Sequence, residues 1–146
     1  MSSLIDIGKL SKPLTKMVEV AAAVCGDIEA PGVTVRRAKA EGKALIIKAI
    51  AEEKTLATRA KARLQWTEEL RQENIEAVVS IAAGQLPDEV SEEAVDADWT
   101  RQFFNAAQDV SGDDMRILWG RILAGEVSKP GSFSKRTIEF LRTFDK

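Results

Sequence analysis

Residues 36–67 read RRAKAEGKALIIKAIAEEKTLATRAKARLQWT, thirty-two residues without a proline and with Gly42 as the single interruption. Ala, Lys, Arg, Glu and Leu dominate, the residues that lose least rotamer freedom in a helix. The proline-free run extends from Val33 to about Ala83. It predicts one continuous helix of about 75 Å at 1.5 Å per residue. An eleven-residue recurrence runs through it: Ala38/Ala40, Ala49/Ala51 and Ala60/Ala62 return as pairs, with Glu41 and Glu52, Lys43 and Lys54, and Leu45 and Leu56. Eleven residues make three turns, so one face returns with little drift. The stripe Ala38, Leu45, Ala49, Leu56, Ala60 and Thr67 is lined with small side chains that let a second helix approach closely. This points to self-association through Ala38, Leu45, Ala49, Leu56 and Ala60, although a helix folding back on its own chain would show the same stripe.

On either side of this run the pattern stays helical. Ser11-Lys12-Pro13 marks the start of a first helix to Cys25, because proline in the first turn loses no needed hydrogen bond. Leu14, Met17, Val18, Ala21 and Val24 recur at three and four residues. Gly26 ends that helix and Ala30-Pro31-Gly32 forms a turn. After Gly84 and Leu86-Pro87, Ser91-Glu92-Glu93 is placed to start a short helix. A third helix from about Asp98 sets Trp99, Phe103, Ala106, Ala107 and Val110 on one side. Ser111, three residues before Asp114, nearly matches a capping box. The helix it would cap has Met115, Leu118, Trp119, Ile122 and Leu123 as its buried stripe and Gly125 as its terminator. After the Lys129-Pro130-Gly131 turn, Ser132 or Ser134 caps a last helix with Ile138, Leu141 and Phe144 as apolar positions. That helix reaches Lys146 with no terminator, which predicts that the chain continues. The fold class is therefore all-α: an N-terminal amphipathic helix and turn over residues 1–32, one very long basic helix over 33–84, and a compact C-terminal helical module over 85–146, oligomeric through helix packing.

Composition narrows the chemistry. The 146 residues contain no His and no Tyr, one Cys, and a formal net charge of −2. Absence of His removes His-based acid/base work, His-activated nucleophiles and the commonest nitrogen ligand of zinc. The spacings of phosphate-binding and dinucleotide-binding loops do not occur. Asp113-Asp114 and the pair Asp96, Asp98 fit helix starts, where the macrodipole favours acids, better than a cation site needing several convergent oxygens. Cys25 ends an apolar face with Asp27 and Glu29 nearby, an environment that raises a thiol pKa. No catalytic, cofactor or metal site follows, and no small-molecule substrate. A lone cysteine and no basic-then-apolar leader predict a reducing, cytoplasmic setting.

Charge is segregated along the chain: residues 36–71 hold ten Lys or Arg against five Asp or Glu, and residues 72–126 hold three against twelve. Opposite charges favour docking of one part on the other, within a subunit or between neighbours, and salt weakens it. Two further surfaces arise from the sequence. Leu14, Met17, Val18 and Ala21, flanked by Lys12 and Lys16, can lie in a membrane interface at the inner face. Arg36, Arg37, Lys39 and Lys43 give a basic footprint for nucleic acid, which the interleaved glutamates and acidic pI disfavour. Among the aromatics, Phe104 lies about 100° round the helix from Phe103 and is the one expected to face a protein partner.

The runs Leu4 to Pro13, Arg36-Arg37-Ala38-Lys39-Ala40-Glu41, and Trp119-Gly120-Arg121-Ile122-Leu123-Ala124-Gly125-Glu126 through Pro130 to Thr137 resemble a bacterial family of domains of unknown function similar to the Abi-alpha proteins, which are associated with abortive infection. The resemblance implies a helical fold with a basic N-terminal helix, a further C-terminal region and a setting in antiphage defence. It implies no catalytic residues.

Overall fold

The computed structural model describes residues 11–26, 44, 46–48 and 55–145. Among them there is no strand; the elements are α1 (Lys12–Cys25), α2 (Leu56–Gln85), α3 (Ala97–Ala107), α4 (Asp113–Ser128), α5 (Lys135–Arg142) and a 3₁₀ turn (Thr143–Asp145). Side chains define most starts. Ser11, Thr55, Asp96 and Ser134 each accept the backbone N–H three residues on, at 3.4, 3.3, 2.9 and 3.3 Å. Each satisfies a donor that the first helical turn leaves open. α1 ends on Gly26, whose φ of 73° suits a residue without Cβ.

Met17 and Ala21 of α1 join Ile75, Val78 and Val79 of α2, the aromatics of α3, Trp119, Leu123 and Val127 of α4, and Ile138 and Leu141 of α5 in one core. Trp99 stacks on Phe103 at 5.1 Å between centroids, and Phe103 meets Trp119 at 5.4 Å. Among the described helices, α2 and α4 share the most extensive contact. They meet closely at Gly120, where a Cβ would stand 2.5 Å from Ile81 Cγ2. α1 thus shares one core with α2 and the helices that follow it.

Buried polar groups tie the elements. Arg116 donates from Nη2 to Asn74 Oδ1 (2.6 Å) and from Nε to the Val110 carbonyl (3.3 Å), with Glu73 3.9 Å away, while Asn74 Nδ2 donates to the Gln108 carbonyl (2.7 Å). The Glu126 carboxylate, 2% exposed, accepts from Gly131 N (2.7 Å) and Phe133 N (2.9 Å), closing the turn between α4 and α5. Lys16 donates to the carbonyls of Ser91 (2.6 Å) and Val127 (2.7 Å), so α1 is fastened to the end of α4. Desolvation by burial lowers the Lys16 pKa, against a smaller opposing effect of Glu93.

Several expectations are corrected. No unbroken helix runs from Val33 to Ala83: residues 44 and 46–48 are helical, but Thr55 has a non-helical ψ of 159° and its hydroxyl caps α2. A threonine that bonds its own backbone favours a cap over a helix interior. Ser91-Glu92-Glu93 forms no helix; Ser91 Oγ accepts from Glu93 N and Ser91 N donates to the Ser128 carbonyl. The residue preceding α4 is Gly112, with no side-chain cap, rather than Ser111. Gly125 lies inside α4, where a Cβ would come 2.6 Å from the Phe133 ring; its smallness serves packing. The last helix closes at Arg142 and tightens into the 3₁₀ turn.

Candidate association surface

α2 is thirty residues long, and only part of it is buried. At 100° per residue, Ile75, Val78 and Ala82, which face the core, share a sector of about 100° with Leu56, Ala60 and Leu64. The core-facing stripe therefore continues toward the helix N-terminus past the packed module. From Leu56 to Gln65 every residue except Ala62 is exposed, Leu56 at 74% and Leu64 at 62%. These ten residues form an arm of about 15 Å.

The arm is also basic. Arg59, Lys61 and Arg63 are exposed, make no ion pair among the described residues, and sit near a helix start whose first turn holds no acid. Arg59, in the first turn, adds to the positive end of the helix dipole, a local cost that an acidic partner would offset. Further along, cations are matched: Arg71 pairs with Glu68 (3.1 Å) and Asp109 (3.3 Å), and Arg101 with Asp98. Asp109 is the main cause of a raised Arg71 pKa.

Of the residues singled out for self-association, Leu56 and Ala60 are exposed on this stripe, whereas Ala38, Leu45 and Ala49 lie outside the described residues, as do Arg36, Arg37, Lys39 and Lys43. The membrane surface is corrected. Met17, Val18 and Ala21 are 0, 7 and 0% exposed and Leu14 is half-buried, so this face is committed to the core; Lys12 is exposed, and Lys16 is engaged with two carbonyls. Phe104 is corrected too. It is 1% exposed and meets Phe103 edge-on at 5.1 Å, because α3 has neighbours on more than one side. The exposed aromatics are instead Phe140 and Phe144, an edge-to-face pair at 4.9 Å, 63 and 57% exposed.

A cleft of about 730 Å³ between α1, α2 and α3 has the paired Arg71 and Arg101 on its walls. Cys25 lines it as well, and burial pushes its thiol pKa up to about 11; desolvation supplies the shift expected from Asp27 and Glu29. A protonated, half-buried thiol is a poor nucleophile. Among the described residues, no group of three or more His, Cys, Asp or Glu side chains is placed to hold a metal ion, and Asp96 and Asp98 serve as a helix cap and as the ion partner of Arg101. Among the same residues no helix is long and apolar enough to cross a membrane.

A helical module with a projecting, basic, leucine-bearing arm is what these features define. The chain belongs to the family DUF2806, proteins of unknown function, whose model matches residues 58–146. No curated protein and no solved structure matches it.

Proposed function

We propose that this chain is a non-enzymatic helical subunit that assembles with copies of itself through the exposed first third of α2. The observation that carries this reading is the continuation of the core-facing stripe onto Leu56, Ala60 and Leu64, where it is left open to water. Burying the exposed part of two leucines contributes roughly 3 kcal/mol per contact, enough to bias association in a chain that also brings complementary charge. The resemblance to the Abi-alpha proteins supports placing such an assembly in the bacterial cytoplasm as part of antiphage defence.

Light scattering on the purified 146-residue chain tests the proposal. A mass that rises with concentration above that of one chain is expected, and Leu56→Asp/Leu64→Asp should return it to one chain with an unchanged helical circular dichroism signal. A wild-type chain that stays single at all concentrations, or a double variant that assembles like wild type, refutes it.

A further inference from the structure

The arm's own module carries a surface of opposite character. Between α1 and residues 92–97 lies a groove of about 400 Å³. Its floor is apolar, built from Val20, Ala23 and Val24 of α1 and Val95 of the loop, and Glu19 and Glu92 stand exposed at its rim. The two cations that also line it are occupied, Lys16 by the Ser91 and Val127 carbonyls and Arg101 by Asp98. Among the described residues Glu19 and Glu92 have no ion partner, and Asp88, Glu89 and Glu93 of the same connecting segment are also exposed. The free charge of the groove is therefore negative. The free charge of the arm, from Arg59, Lys61 and Arg63, is positive.

A basic amphipathic helix laid with its apolar side in an apolar groove and its cations on an acidic rim is a recurrent mode of recognition. In its own chain the arm does not take that place: it belongs to the helix whose C-terminal part is packed in the core, and its Leu56 and Leu64 stay exposed. From this complementarity we infer that the arm of one copy seats in the groove between α1 and residues 92–97 of a second copy, Leu56 and Leu64 over the valine floor and Arg59 and Arg63 toward Glu92 and Glu19. The inference rests on the self-association proposed above and names the surface that completes it. Arm and groove are different patches, so the contact is either exchanged reciprocally between two copies in a two-fold dimer or, repeated head-to-tail, closes into a larger ring or extends into an open chain.

Charge exchange across the contact tests the pairing on the full 146-residue chain. Arg59→Glu/Arg63→Glu and, separately, Glu19→Lys/Glu92→Lys are each expected to weaken association about tenfold or more in sedimentation velocity at low salt. An equal mixture of the two should regain large species, because the glutamates of one arm then meet the lysines of the other groove. Wild-type assembly should weaken as salt is raised. All four positions are exposed, and unchanged circular dichroism verifies that the variants fold. If the mixture stays dissociated, or the groove variant assembles like wild type, the groove assignment is wrong. If at the same time Leu56→Asp/Leu64→Asp abolishes assembly, the arm still mediates association and only its seat is misplaced; a wild-type chain that never assembles removes both.

Discussion

Gly120→Ala sets two opposing effects against each other in one helix. Glycine in a helix interior costs up to about 1 kcal/mol relative to alanine, so on propensity alone the substitution stabilises α4. At this position the new Cβ would stand 2.5 Å from Ile81 Cγ2, 2.9 Å from Ile81 Cβ and 3.2 Å from Ala82 N. Carbon atoms settle at about 3.5–4.0 Å. The methyl is no easy escape, since a β-branched side chain in a helix holds one strongly preferred rotamer, and neither Ile81 Cβ nor Ala82 N moves without the α2 backbone. α2 and α4 must therefore part along their shared contact. Overpacking costs about 1–3 kcal/mol, and three neighbours inside ordinary contact place this case at the upper end, so a net loss of about 2 kcal/mol remains after the propensity gain. Urea unfolding followed by tryptophan emission, with Trp119 adjacent to the change, measures it directly. Ile81→Ala in the same chain should recover part of the loss, giving a coupling of about 1 kcal/mol in a double-mutant cycle. A Gly120→Ala protein as stable as wild type, or more so, would refute a close crossing of α2 and α4 at this position.

Gly125→Ala offers the milder contrast and belongs to the same measurement, for the nearest atoms in the way are those of the half-buried Phe133 ring, which can turn aside. Glu126→Ala leaves the amides of Gly131 and Phe133 without their acceptor and should lower stability by about 2–4 kcal/mol; hydrogen exchange at those two amides is expected to accelerate, and unchanged protection would sink the clasp. Cys25 provides a pH test. Its pKa is raised from 9.0 to about 11, so below pH 9 its thiolate fraction is about 100-fold smaller in the folded than in the unfolded chain. Iodoacetamide labelling at pH 8 should be slower in the folded protein by a similar factor, and equal rates would refute the burial. Because the folded pKa is the higher one, the stability linked to this group is fully present below pH 9 and is lost as pH climbs through about 11; Cys25→Ala should remove that part of the pH dependence.

Where a signal is local, the sequence was a sufficient guide. Ser11 and Ser134 act as caps, and Met17, Ala21, Trp99, Phe103 and Leu123 fall on the buried faces that three-and-four spacing assigns them. Thr55 escaped because the eleven-residue recurrence carries straight across it; the available sign was the hydroxyl three residues before Thr58 N, the same sign that identifies Ser134. Phe104 misled because a single apolar stripe was assumed for a helix that has neighbours on more than one side. Gly125 was read through chain conformation when its role is the space it gives the Phe133 ring, which no linear pattern reveals. The open part of α2 was visible only as a repeat. That its apolar stripe is the continuation of a buried one required knowing where the packed module ends. The groove between α1 and residues 92–97 lay beyond sequence altogether, since it joins segments about seventy residues apart with no shared motif.

The fastening of α1 also bears on the order in which the chain is made. Lys16 and the Val127 carbonyl it holds are separated by 111 residues. At about 5–20 residues per second, α1 leaves the ribosome several seconds before its seat on α4 exists. Through that interval Met17, Val18 and Ala21 lack the core that covers them in the finished fold. The surface that the finished protein hides is thus on offer to chaperones or to a nearby bilayer only during synthesis, a window set by the distance between the two halves of one hydrogen bond.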